Sequence, residues 1–336
     1  MALQTLAICF LIPPLIYIYT MSVISTRFPM LRNKKICLLI AHPDDEAMFF
    51  SPTLLALTEP STGNHVKILC LSSGDAEGLG ETRKRELVKS GMKLGLRREE
   101  DIYVHEDKSK FPDSMTTPWS GSDVSALLDS AFAPSSASRS SDSPPAVNID
   151  VLVSFDPTGV SGHINHRSLY HGACQWLSSL QRTGHSSPVA LYTLGSVNIV
   201  RKYSMFFDIV ATLVEFGFQC GWSREVNRVN TSKNKGSSVR GEAVSGRREF
   251  PERLVLASGL GPGGWGKAWK AMTEAHKSQM LWFRYGWIIL SRYMVVNDLA
   301  LVSPSRAARA GPVCGGGRKE AVFELTTKVV EGEKDQ

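Results

Sequence analysis

"KICLLIAHPDDEAMFF", residues 35–50, is the stretch on which the reading of this chain turns. An apolar run of strand length stops at a histidine and a proline, and three acids follow at once. "KICLLIA" carries the pattern of a buried strand. "EAMFFSPTLLALTE" (46–59) then places apolar residues at helical spacing, with Pro52 interrupting its early part. In open α/β sheets, ligands bind beyond the carboxyl ends of the strands, and His42, Asp44, Asp45 and Glu46 fall there. Neighbouring residues in a turn point in different directions, so one aspartate can hold a metal while the other faces a water. A helix cap with first-turn acids would explain Glu46, but not His42 and both aspartates together.

Working outward, "HVKILCLSSGD" (65–75) reads as a second strand entering a Gly-rich loop, "GDAEGLG". "ETRKRELVKSGMKLG" (81–95) is a helix, acidic at its start, basic later and ended by glycine. "DIYVHED", "NIDVLVSFDP" and "PVALYTL" supply further strands, and "RSLYHGACQWLSSL" (167–180) a further helix. Strand–helix alternation predicts an α/β fold with a mostly parallel sheet and helices on both faces. A folded domain is expected over 34–302. Within it, 132–145 is Ser/Pro-rich and 222–249 polar and patternless, and both read as flexible insertions. Residues 268–296 look helical and strongly apolar toward their end, and 303–336 reads as a loose tail. Trp282, Phe283, Trp287 and Tyr293 lie at helical spacing, which predicts core packing, with membrane-interface contact as the alternative.

The first residues differ in kind. Residues 3–25 hold no charged side chain, long enough to span a bilayer core of roughly 30 Å. No Lys or Arg precedes the run, and Tyr17 and Tyr19 suit an interfacial belt, so a transmembrane anchor is expected rather than a cleaved signal. Arg27, Arg32, Lys34 and Lys35 follow, which predicts that the bulk of the chain lies on the cytosolic side. The six cysteines contain no C-x-x-C pair, in keeping with free thiols in a reducing compartment. A net charge of +6, spread along 336 residues, is too slight to argue for nucleic acid binding.

A second cluster lies in "SGHINH" (161–166), after a later strand. His163 and His166 are three residues apart, and on a helix their rings share a face. One His and one Asp from the first loop, with one His from the second, make a three-ligand N/O site with an open position. That is the donor pattern of catalytic zinc, and no cysteine lies near to close it. Zinc with a carboxylate general base and a protonated histidine at the oxyanion would perform amide hydrolysis.

These motifs resemble the de-N-acetylase superfamily of the bacterial LmbE-like enzymes and the eukaryotic N-acetylglucosaminyl-phosphatidylinositol deacetylases. The resemblance is carried by "AHPDDE", "SSGDAEGLGETRKREL", "FPDSM" with Trp119, and "GVSGHINH", in that order. "HKSQMLWFRYGWIILSRYMVVN" (276–297) resembles the eukaryotic membrane branch. The resemblance implies a Rossmann-like fold, and Zn2+ or another divalent metal on His42, Asp45 and His166. It implies Asp44 as general base and His163 as oxyanion stabiliser. It implies Arg83, Asp113 and His276 as substrate-binding residues. It further implies action on phosphatidylinositol-linked N-acetylglucosamine at the endoplasmic reticulum membrane, the second step of GPI anchor synthesis. Residues 222–249 have no counterpart in the family pattern. Two other readings are a deacetylase of a soluble N-acetylglucosaminide and an inactive membrane-tethered interaction protein. The apolar N-terminus speaks against the first, and the intact histidine–aspartate sets against the second.

Overall fold

The computed structural model describes residues 2–133, 146–181, 187–217 and 250–303, with side chains from Leu15 onward. Helix α1 (Ala2–Arg27) is followed by strand β1 (Lys35–Ile40), the single turn α2 (Asp45–Met48) and α3 (Ser51–Leu57). Then come β2 (His65–Cys70), α4 (Gly80–Lys93), β3 (Ile102–Val104) and α5 (Gly121–Phe132). β4 (Val151–Phe155), α6 (Ile164–Leu180) and β5 (Ala190–Leu194) complete the parallel part. The helix expected over 46–59 is split, because Pro52 is accepted only in the first turn of α3.

The sheet has seven strands in the order β3-β2-β1-β4-β5-β7-β6, where β6 is Arg253–Ala257 and β7 is Val296–Leu301. The first five are parallel, while β7 runs antiparallel to both β5 and β6. From β1 the chain steps outward through β2 to β3, then crosses back to β4 and steps the other way to β5. Right-handed crossovers then place α3 and α4 on one face and α5 and α6 on the other. The order reverses between β1 and β4, which pair in the register Ile36↔Val151 to Leu38↔Val153. Their carboxyl ends therefore open on one crevice, the switch point of the sheet.

Two strands were not expected. The helical expectation over 268–296 is corrected: the segment is broken into α7 (Trp265–Lys270), a π turn at Ala271–Ala275, α8 (Trp282–Leu290) and the start of β7. The breaks turn His276 inward, and Leu281 is extended before α8. The core-packing expectation holds for Tyr293, which is buried, but not for Trp282, which is 86% exposed. Asn297 ties β7 to α3, its amide nitrogen donating to Phe49 O (2.8 Å) and its oxygen accepting from Thr53 N (3.0 Å).

On the other face, α5 and α6 pack closely because Gly172 has no side chain. A Cβ at 172 would stand 2.3 Å from Val124 Cβ. Gly172→Ala is expected to destabilise the domain by roughly 1–3 kcal/mol through overpacking, read as a lower urea midpoint at unchanged slope.

The anchor expected at 3–25 falls on the 26-residue α1. Among the described residues, no helix is long and apolar enough to cross a membrane. The second half of α1 packs on the catalytic domain: Ile24 is buried, and Tyr17 OH accepts from Leu260 N at 2.6 Å. Of the expected insertions, 134–145 and 222–249 lie outside the described residues, whereas Phe132 and Ala133 are buried at the end of α5. The expected tail lies outside them as well, from 304 onward.

Candidate active site

The loop after β1 is built on Asp45. Its Oδ2 accepts from the backbone N–H of Ala41 (3.0 Å) and His42 (2.9 Å), which folds the turn over the strand end. That leaves Oδ1 to face His166 Nε2 at 3.1 Å. Burial acts to raise the Asp45 carboxyl, but the His166 imidazole beside it, helped by His42, holds it below the usual carboxylate range. Asp44 precedes the turn with φ 119°, a left-handed conformation that strains any residue but glycine. Its N–H is held by Glu46 Oε2 (3.1 Å), and its Oδ2 contacts the Arg284 guanidinium.

The loop after β4 supplies the facing half. Asp156 Oδ1 accepts from Gly159 N (2.8 Å) and from the Ser196 hydroxyl (2.7 Å), fixing the loop against the end of β5. Gly159, at φ 70°, would have its Cβ 3.0 Å from His166 Cβ, so the lack of a side chain permits this close approach. Gly159 O and His166 Nδ1 are 3.1 Å apart, which places a proton on Nδ1 and turns Nε2 toward Asp45. The ring stacks on Phe155 at 3.9 Å.

His163 is the N-cap of α6, its Nδ1 accepting from Asn165 N at 3.2 Å. Its proton is therefore on Nε2. Burial first, and then the neighbouring His166 and His42, push its pKa down to about 4. The expected protonated imidazole is thus replaced by a neutral one, which still donates through Nε2–H. Ring nitrogens of His42, His163 and His166 all lie within 4.8 Å of one another. His42 Nε2 is also 3.2 Å from both Asp113 Oδ1 and Asn165 Nδ2.

Arg83 reaches this crevice from α4. It donates to Gly74 O (2.6 Å) and Pro43 O (2.9 Å), and its guanidinium lies 3.7 Å from Asp44 and 3.6 Å from Asp113. The structure thus brings His42, Asp44, Asp45, Arg83, Asp113, His163 and His166 to one crevice. The substrate-binding expectation for His276 is corrected. That side chain is fully buried, its Nε2 2.6 Å from Glu46 Oε1, so it has no surface to offer a ligand. Glu46 does more than hold the N–H of Asp44 at the helix start: it also accepts from Ser90 Oγ and sits behind the loop of His42 and Asp45.

Arg284 and Asn165 were missed. Arg284 had a signal, since it is the only charged residue of the apolar helix "WFRYGWIIL". Asn165 is the middle of "HINH" and had none beyond its place there.

The donor set fits a divalent ion. His42, His166 and Asp45 are buried N/O donors, and the outer atoms of His166 and Asp45 are tied to backbone groups as ligating side chains require. A family model described as GlcNAc-PI de-N-acetylase (PIG-L) matches residues 37–177. The chain is 50% identical over 303 residues to the N-acetylglucosaminyl-phosphatidylinositol de-N-acetylase of Arthroderma benhamiae, covering 81% of this chain and 88% of that one. It is 33% identical over 274 residues to the Saccharomyces cerevisiae protein of the same name, covering 79% and 80% respectively. Among solved structures it is similar to a deacetylase triple mutant of the teicoplanin biosynthetic pathway, with TM-score 0.44 and 10% identity, covering 80% of this chain and 98% of that chain. With half of 303 aligned positions identical to a curated relative, and both the 42–46 and the 163–166 motif inside the matched 37–177, the chain belongs to the PIG-L family of GlcNAc-PI de-N-acetylases.

Proposed function

We propose that the protein hydrolyses the N-acetyl group of N-acetylglucosaminyl-phosphatidylinositol, giving glucosaminyl-phosphatidylinositol and acetate, the second step of GPI anchor synthesis. The observation that carries this reading is the convergence of the 42–46 and 163–166 motifs at one sheet crevice, in a chain half identical to a relative of that name.

His42, Asp45 and His166 would hold a divalent ion, zinc by donor chemistry, with His163 left over because its Nε2 carries the proton. Such an ion, when bound, supplies Lewis acidity and a water of lowered pKa. Asp44 accepts the proton of the attacking water at its carboxylate, oriented by Arg284 and by the Arg83 guanidinium. The neutral His163 donates Nε2–H to the oxygen that gains charge as the amide carbonyl becomes tetrahedral. The proton on Asp44 is then available to the departing amine, so water and amide give acetate and amine in balance. Arg83 and Asp113 line the same crevice and are placed to bind hydroxyls of the sugar or inositol.

We place the enzyme at the endoplasmic reticulum membrane, anchored by α1. The reading is supported by the uncharged run of residues 1–26 and the cluster Arg27, Arg32, Lys34 and Lys35 that follows. Treating the purified protein with EDTA is expected to abolish acetate release from the lipid-linked sugar, and zinc to restore it. Full activity in a metal-free sample would refute the assigned chemistry. Turnover of a water-soluble N-acetylglucosaminide at the lipid-linked rate would refute the substrate.

A further inference from the structure

We infer that α8, the turn Ile199–Lys202 and the helix over 207–217 form a face that docks on an anionic lipid bilayer independently of α1, turning the crevice beside Asp44 toward the membrane surface. The inference rests on the proposed function only for the substrate that is met there.

Each of these elements is inverted relative to an ordinary surface helix. In α8 only Ile288 is buried, while Trp282 is 86% and Phe283 52% exposed, with Leu290 also exposed. Over 207–217, Phe207, Val210 and Val214 stand exposed at helical spacing, whereas Asp208, Ile209 and Thr212 are buried beneath them. Ile199 and Val200 are exposed on the preceding turn.

The pieces form one surface. Met205 N–H donates to Leu290 O at 3.0 Å, which joins α8 to the 199–217 segment. Phe206 packs on Phe207 with ring centres 4.1 Å apart and reaches Tyr17 of α1 at 6.5 Å. A contiguous apolar patch of this kind marks an interaction site.

Charge identifies what covers it. No Asp or Glu occurs between Asp156 and Asp208, or between Glu274 and Asp298, whereas Arg201, Lys202, Lys277 and Arg284 fall in those runs. Asp208 is buried and neutralised by Arg201 (2.6 Å) and Arg292 (2.7 Å), and Glu215 pairs with Arg201 at 2.8 Å. Exposed Trp, Phe and Tyr in runs whose remaining cations, of those four, are Lys202 and Lys277, with no unpaired acid among them, is the composition of a helix lying in an anionic bilayer interface. The helix that carries Trp282 outward also carries Arg284 inward onto Asp44, so docking sets the crevice at the headgroup level.

The test uses the full chain reconstituted in phosphatidylcholine vesicles with and without phosphatidylserine. The difference in emission between wild type and Trp282→Phe reports Trp282 alone. That difference is expected to be quenched by headgroup-region nitroxide lipid, more strongly with phosphatidylserine present. The double variant Trp282→Ser, Phe283→Ser should raise KM for vesicle-borne lipid-linked substrate about tenfold, the loss of one such anchoring contact. Its kcat/KM on a water-soluble N-acetylglucosaminide should be unchanged. An unquenched Trp282 overturns the inference. So does a variant impaired on vesicles without quenching in the wild type, because a protein partner would then cover the face. Quenching that is equal without phosphatidylserine overturns the anionic preference. If wild type turns over neither substrate, the functional proposal falls, and the quenching alone still decides the docking.

Discussion

Asp44→Asn should bind metal as the wild type does and lose turnover by roughly 10²–10⁴-fold, the usual contribution of a positioned base. Asparagine preserves the shape of the side chain and meets the same backbone strain at φ 119° as the aspartate it replaces, so the turn should survive. The proposed ligands are untouched, because Asp45 takes its hydrogen bonds from Ala41 and His42 rather than from Asp44. What is lost is the acceptor held against Arg284. The measurement is kcat on lipid-linked substrate beside metal content per chain. Full rate in a metal-loaded variant would remove Asp44 from the role of base.

The second large effect is on stability. His276 and Glu46 are both fully buried and paired at 2.6 Å. Removing one partner leaves the other buried without its charge complement, a loss of about 3–5 kcal/mol. His276→Ala should therefore show a lower urea midpoint by that amount, and Glu46→Gln on the same background should recover part of it. Burial alone would lower the His276 pKa, but the Glu46 carboxylate raises it above its ordinary value. A raised folded-state pKa contributes stability in full below the unfolded value of about 6.5. That contribution fades as pH climbs through the folded-state pKa. The gap between wild type and His276→Ala should accordingly narrow toward alkaline pH, and a gap that widens would reverse the assignment.

Much of the fold could be read because its signals are local. β1, β2 and β4 are short apolar runs ended by polar loops, and α4 closes at Gly95, whose φ of 103° suits only glycine. Both halves of the site stood in the sequence for the same reason, each attached to one strand end. What could not be read depends on partners far along the chain. Glu46 looks like a helix-start acid until His276, 230 residues away, is set against it. β7 carries Asn297 and Asp298 in its middle, which interrupts strand alternation, yet Asn297 is buried on α3 and Asp298 pairs with Arg253 of β6. Residues 268–296 have helical composition throughout. Their breaks come from the inward pull on His276 and the Ser291 cap on Tyr293 N, which no periodicity records. Trp282 and Phe283 followed the pattern of core residues because hydrophobic spacing does not say which side of a helix meets protein.

The packing of α1 bears on where this chain can be divided. β6 is the edge strand of the sheet, and α1 lies against it, with Ile24 buried and Tyr17 bound to Leu260. An edge left bare is a template for pairing with another copy. A truncation at the charged residues after α1 would strip that cover and leave β6 and its apolar flank to self-associate. A cut ahead of Tyr17 would remove only the first part of the uncharged run and spare the edge. The proposed anchor and the enzyme thus share a helix, and the boundary between them falls inside it rather than at its end.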